Sequence, residues 1–152
     1  MITLIGMGSG TPESLTAQGL AALQNAGLIL GAKRLLEQLP QGCTEHRKAL
    51  YQPEDVLAAL AADPELDAAL VYSGDTGFYS GAAKLLPLLR VMGYSVRVLP
   101  GLSCVQLLAA AVGRPWQDWK LVSAHGRACD PVAECMEGKP TFFLTGGSES
   151  PA

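Results

Sequence analysis

Three glycine-rich turns carry most of the polar chemistry in this sequence. They are Gly6-Met7-Gly8-Ser9-Gly10, Ser73-Gly74-Asp75-Thr76-Gly77-Phe78-Tyr79-Ser80-Gly81 and Pro100-Gly101-Leu102-Ser103-Cys104. Glycine admits positive φ and lets a backbone come close to a ligand, so such turns suit a site walled by main chain. Asp75 has two readings. It caps its own turn by accepting backbone N–H bonds, or it joins the backbone in holding a polar, partly cationic ligand. Phosphate would favour a helix end with no acid in it. Cys104 stands at the head of an expected helix but has no histidine near it in sequence to act as base, which argues against thiol catalysis. Cys43, Cys129 and Cys135 read as small buried hydrophobes. No CxxC pair occurs, and the stretch CDPVAEC does not have a usual zinc spacing. A reduced, cytoplasmic protein without a structural metal is the expectation.

The basic residues gather at Lys33-Arg34 and His46-Arg47-Lys48. Each group reads as a solvated face or, on an acidic protein, as a docking point for a polycarboxylate substrate. His125, in Ser123-Ala124-His125-Gly126-Arg127, suits a structural hydrogen bond and a substrate contact equally well. The dinucleotide fingerprint GxGxxG fails twice. Thr11 stands where its third glycine belongs, and Gly31-Ala32-Lys33 lacks the acid that would take a ribose.

Elements that could hold these turns are visible in the pattern. The 152 residues match one compact domain in size. At 49% apolar and 16% charged residues, with mean hydropathy +0.23, the chain is suited to burying a core. A net charge of −3 argues against non-specific binding to nucleic acid or acidic membranes. No apolar run reaches the ~18 residues of a membrane span, and MITLIGMGSG does not read as a signal peptide. Strand-like and helical runs alternate, which predicts an α/β domain with a mostly parallel sheet. Strands are expected at 1–4, 27–30, 66–72, 95–99, 120–123 and 141–144. Helices are expected from Pro12-Glu13-Ser14 onward and at 32–39, 56–62, 78–92, 105–111 and 132–136, with Pro87 kinking or ending the fourth. In a parallel sheet, ligands bind beyond the carboxyl ends of the strands. Five glycine-bearing turns fall at such ends: GMGSGTPE, SGDTGFYSG, PGLSC, AHGR and LTGGSES. Together they predict one backbone-lined cleft. The segment Gly113-Arg-Pro-Trp breaks the rhythm, so residues 1–113 read as a first α/β domain and 114–152 as the start of a second.

Taken in order, the turns resemble those of the tetrapyrrole methylases, S-adenosylmethionine-dependent enzymes of corrin and siroheme synthesis. The family's opening GxGxGxPxxLT is matched by Gly6-Met7-Gly8-Ser9-Gly10-Thr11-Pro12-Glu13-Ser14-Leu15-Thr16, with Ser9 for the usual Pro and Thr11 for the usual Asp. Its Gly-Gly-Asp-Pro turn appears as Ser73-Gly74-Asp75-Thr76, and its Pro-Gly-[Ile/Val]-[Ser/Thr]-Ser turn as Pro100-Gly101-Leu102-Ser103-Cys104. SGDxGFYSG, GAKRLL and SxHGR are similar to the branch that methylates carbon 5 of precorrin-7 or cobalt-precorrin-7. In some relatives that branch is the N-terminal half of a bifunctional precorrin-6 enzyme that also methylates carbon 15 and decarboxylates.

The resemblance implies an S-adenosylmethionine cofactor folded between two α/β domains, with S-adenosylhomocysteine as its product, and a homodimer. It carries cofactor contacts to Ser73, Gly74, Asp75, Phe78, Ser103 and Cys104, and sets Gly8, Ser9 and Gly10 on the substrate side. On that reading Lys33, Arg34 and Arg127 meet the substrate's acetate and propionate arms, and His125 meets them or takes the proton left after methylation. Two rivals stand beside it. One is a dinucleotide-binding oxidoreductase domain, favoured by the opening glycines; the other is a truncated fragment that dimerises and binds nothing tightly.

Overall fold

Five short strands, all parallel, form the main sheet in the computed structural model, which describes residues 1–125 and 128–146. They are β1 (Ile2–Gly6), β2 (Leu28–Gly31), β3 (Arg47–Lys48), β4 (Ala68–Tyr72) and β5 (Val96–Leu99), in the order β3-β2-β4-β1-β5. β1 lies between β4 and β5 and is buried along its whole length. Its register sets Gly6 beside Tyr72, and Ile5 beside both Val71 and Leu99. Parallel pairing therefore delivers the first three turns of the sequence to one edge of one sheet.

Side chains alternate between two cores, as period-2 geometry requires. Leu4, Leu28, Leu30 and Leu70 join Val56 and Leu60 of α3 (Pro53–Ala62) and Leu85 and Leu89 of α4 (Ala82–Val91). Ile5, Ile29, Val71 and Leu99 join Leu23 of α1 (Ala17–Asn25) and Leu35 and Leu36 of α2 (Lys33–Leu36). A parallel sheet covered on both faces needs near-continuous apolar strands, and β1, β2 and β4 supply them. Each fully buried Leu or Ile contributes about 1.5–3 kcal/mol, which makes the sheet a firm base for the turns.

Several element ends differ from those the sequence pattern predicts. Pro12–Ser14 forms a 3-10 turn, and α1 starts later, at Ala17, where Thr16 Oγ1 accepts the Gly19 N–H at 3.0 Å. α4 starts at Ala82 and not near Phe78, because Tyr79 takes a φ of +48° that no helix accommodates. Pro87 does not end α4, which runs on to Val91. β3 was missed: two charged residues on an edge carry no apolar alternation. Cys104 and Cys135 are exposed and Cys129 half-buried, while Cys43, half-buried, packs against the second core, and burial pushes its thiol up.

The chain divides into two compact units, Met1–Cys104 and Val105–Ala152. The boundary expected after residue 113 thus falls one helix later than this division, beyond α5 (Cys104–Ala111). In the second unit β6 (Lys120–Ser123) and β7 (Thr141–Leu144) pair in parallel, with α6 (Pro131–Cys135) between them in sequence. Asp130 caps α6 by accepting the Val132 and Ala133 N–H groups. Lys120 pairs with Glu134 and Glu137 at 2.6 Å each, and these hydrogen bonds raise its pKa. Among the described residues, no helix is long and apolar enough to cross a membrane.

Candidate functional site

The three turns at the carboxyl edge of the main sheet interlock through their backbones. Gly8 and Gly74 exchange two hydrogen bonds, N–H to carbonyl, at 3.1 and 2.8 Å. Both residues have positive φ, +62° and +69°, which glycine adopts without strain. Gly6 is closed in by the other two turns: a Cβ there would stand 2.6 Å from the Gly101 nitrogen and 2.7 Å from the Gly74 carbonyl oxygen. A Cβ on Gly101 would lie 2.6 Å from the Gly6 carbonyl carbon. Three glycines from three strand ends pack main chain against main chain, where any side chain would force them apart.

Two side chains of the second turn fasten it to the third. One Asp75 carboxylate oxygen accepts the Gly77 N–H at 2.7 Å, and the other accepts the Gly101 N–H at 3.0 Å. Thr76, 8% exposed, donates its hydroxyl to the Leu99 carbonyl at 3.2 Å. Gly74 lies 3.9 Å, measured from where a Cβ would be, from the Leu102 carbonyl oxygen and the Ser103 Cα. Phe78 and Tyr79 meet edge to face with ring centroids 4.9 Å apart. Ser103 is buried; Ser73, Leu102 and Cys104 are exposed along this rim.

Of the expected cofactor residues, Ser73, Gly74, Asp75, Phe78, Ser103 and Cys104 all stand in the second and third turns, which touch each other. Of the expected substrate residues, Gly8, Ser9 and Gly10 are in the first turn, bonded to the second. Lys33 and Arg34 open α2, just beyond the carboxyl end of β2, with both side chains in solvent. The segment just after α2 approaches the first turn through Gln38: a Cβ on Gly10 would lie 3.3 Å from the Gln38 amide carbon. Lys33 is 4.0 Å from Glu37. The second basic group is engaged differently. Lys48 pairs with Asp63 at 2.9 Å, and Arg47 reaches the Thr44 carbonyl and Glu45. That hydrogen bond from Lys48 holds the Asp63 carboxyl below its ordinary range. His125, exposed, belongs to the second unit, where its ring closes on Gly146. Arg127 and most of the LTGGSES turn lie outside the described residues.

The donors of the rim are mostly spoken for. Gly8 N–H goes to Gly74, Ser9 N–H to Ser14 Oγ, Gly10 N–H to the Met7 carbonyl, and Gly77 and Gly101 N–H to Asp75. No helix N-terminus follows β1 directly, since a 3-10 turn intervenes. A pyrophosphate needs open N–H groups at such a terminus, so the turn after β1 does not fit the dinucleotide fingerprint. A carboxylate set among glycine backbones fits a neutral or cationic ligand, such as a sulfonium. Sequence reasoning missed Ser14, Thr76 and Gln38, and treated Gly6 and Gly101 as turn formers without seeing their mutual packing. A polar residue directly after Asp75 was the one signal available for Thr76.

A model of the tetrapyrrole (corrin/porphyrin) methylases matches residues 1–148 of this chain. The chain belongs to that family. It is 32% identical over 127 residues to a cobalt-precorrin-7 C(5)-methyltransferase of Salmonella typhimurium, covering 84% of this chain and 62% of that one. It is 30% identical over 142 residues to a probable cobalt-factor III C(17)-methyltransferase of Methanothermobacter thermautotrophicus, covering 90% and 40%. A solved cobalt precorrin-4 methyltransferase superposes with a TM-score of 0.69 at 25% identity, covering 86% of this chain and 60% of that one. The chain spans about three fifths of the length of the first curated relatives it matches.

Proposed function

We propose that this protein is an S-adenosylmethionine-dependent C-methyltransferase of cobalamin biosynthesis, acting on carbon 5 of precorrin-7 or cobalt-precorrin-7 in the cytoplasm, as a homodimer. The observation that carries the reading is the interlock of Gly6, Gly74 and Gly101, with Asp75 at its rim. The relatives matched support the choice of chemistry, and those acting at carbon 5 support the choice of carbon.

When bound, the cofactor supplies a methyl group already activated on a sulfonium, so the protein's task is mainly to position and exclude. Ser73, Gly74, Asp75, Phe78, Ser103 and Cys104 would hold it. Asp75 fixes Gly77 and Gly101 through its two hydrogen bonds, and a carboxylate has further lone pairs to offer a polar or cationic group. Gly8, Ser9 and Gly10 would border the tetrapyrrole, and Lys33 and Arg34 would meet its carboxylate arms. His125 is our candidate to accept the departing proton. Positioning of this kind is worth up to about 7–11 kcal/mol of barrier.

The test is mass spectrometry of defined precorrins incubated with the full-length protein and S-adenosylmethionine. A single added methyl on cobalt-precorrin-7 or precorrin-7 is expected. Methylation of cobalt-factor III and not of either precorrin-7 form would move the assignment to another carbon, and no transfer to any tetrapyrrole would remove it.

A further inference from the structure

Ser14 lies in the 3-10 turn that follows the first glycine turn, where the sequence suggested nothing beyond a helix start. Its hydroxyl is the hub of that turn. Ser14 Oγ accepts the Ser9 N–H at 3.0 Å and the Ser9 hydroxyl at 2.9 Å. It donates to the Thr11 carbonyl at 2.8 Å, with the Met7 carbonyl a second acceptor at 3.2 Å. A hydroxyl has one proton and two lone pairs, so this set uses its whole capacity. Ser14 is 9% exposed, and Gly8 packs on it so tightly that a Cβ on Gly8 would stand 2.6 Å from its Oγ.

We infer that Ser14 is a positioning residue for the tetrapyrrole, acting through Ser9 and without touching the substrate. It holds both the backbone N–H and the hydroxyl of Ser9, whose Oγ also lies 3.2 Å from Thr11 Oγ1 and stays exposed, with a lone pair to offer. The Ser9 amide is taken up by Ser14, that of Gly8 by the Gly74 carbonyl and that of Gly10 by the Met7 carbonyl, so this turn supplies contour and one hydroxyl, while anionic arms are left to side chains such as Lys33 and Arg34. The inference rests on the proposed function, in which this turn borders the tetrapyrrole.

The test titrates S-adenosylhomocysteine and, separately, cobalt-precorrin-7 into the full-length protein and its Ser14→Ala form. Cobalt-precorrin-7 affinity is expected to fall about fivefold to tenfold, the scale of one lost hydrogen bond, with S-adenosylhomocysteine affinity unchanged within about twofold. In turnover the same split should appear as a raised KM for the tetrapyrrole at nearly constant kcat. Ser14→Cys, which fills the same space with a weak donor and a poor acceptor, carries the same test if the alanine form does not fold. Undiminished tetrapyrrole affinity overturns the inference. Equal losses for both ligands overturn it as well, because they mark a general loss of folded protein. If the unaltered protein binds S-adenosylhomocysteine but no cobalt-precorrin-7, the proposed substrate fails and the positioning role fails with it.

Discussion

The Asp75 carboxylate accepts the Gly101 N–H at 3.0 Å across 26 positions of sequence, tying the turn after β4 to the turn after β5. The strands they follow are not neighbours, since β1 lies between them. The bond therefore bridges over the end of β1, where Gly6 is pressed between both turns. Of the two sequence readings of Asp75, the acceptor of its own turn's N–H is present in the Gly77 bond, and the clasp to Gly101 is added to it; any ligand it meets is met by a carboxylate already held in place.

Replacing Asp75 by Asn should separate the two roles. The amide keeps one oxygen, now neutral, and replaces the other with a donor, so one of the Gly77 and Gly101 N–H groups loses its acceptor and the other keeps an uncharged one. A loss of stability of about 1–3 kcal/mol follows, read by urea denaturation. If Asp75 also faces the cofactor, S-adenosylhomocysteine affinity should drop further than the fold's loss explains; unchanged affinity would leave it as clasp alone.

Gly101→Ala should be worse than Asp75→Asn for stability. The new methyl meets Gly6 backbone atoms at 2.6 and 2.7 Å, and backbone cannot swing aside as a long side chain can. A destabilisation of roughly 1–3 kcal/mol or more is expected for overpacking of this kind. By contrast Gly93→Ala meets no atom within 4 Å and should cost little beyond the strain of its φ of +81°. Thermal unfolding of the two variants checks the ranking.

The double variant Lys33→Ala/Arg34→Ala should weaken cobalt-precorrin-7 binding about threefold to tenfold, the scale of two exposed ion pairs. Its binding should also lose much of its salt dependence, while S-adenosylhomocysteine affinity stays unchanged. Lys48→Ala breaks the Asp63 pair instead and should leave tetrapyrrole binding as it was.

Much of this fold was legible because its strands are nearly pure apolar runs. Leu28-Ile29-Leu30 and Ala68 to Tyr72 announce themselves as strands buried on both faces. Arg47-Lys48 could not, since a two-residue charged edge strand exists through its neighbour's hydrogen bonds and not through any pattern of its own. Helix starts were misjudged for a related reason. Pro12 and Glu13 suit a first turn by composition, but Ser14 diverts its hydroxyl to the preceding loop and Thr16 provides the cap. In the site, the glycines marked where turns fall, and the resemblance to one family marked which turns belong together. What no local reading could supply was the contact of Gly6 with Gly101, which depends on strand order, or the Thr76 hydroxyl on Leu99, which depends on both.

Tyr72 gives a prediction in pH. Burial alone pushes its phenol up to about 12 from an ordinary 10. A raised folded-state pKa means the folded protein holds the proton more tightly than the unfolded chain. The corresponding stability is intact below pH 10 and is lost as pH rises towards 12. In a phenolate absorbance titration of the four tyrosines, the last step should come near pH 12 and vanish in Tyr72→Phe. A last step near 10 would show the ring to be wetter than its packing implies.

On the proposed function, the turns after β1, β4 and β5 make one receptacle for an adenosyl sulfonium donor. Backbone amide shifts recorded by NMR while S-adenosylhomocysteine is titrated into the protein test it most directly. The largest changes are expected at Gly74, Asp75, Phe78, Ser103 and Cys104, with smaller ones at Gly8 to Gly10. Changes confined to the groove at the opposite, amino-terminal edge of the sheet, lined by Met1, Gln18, Asn25 and Arg97, or no changes at saturating ligand, would contradict it.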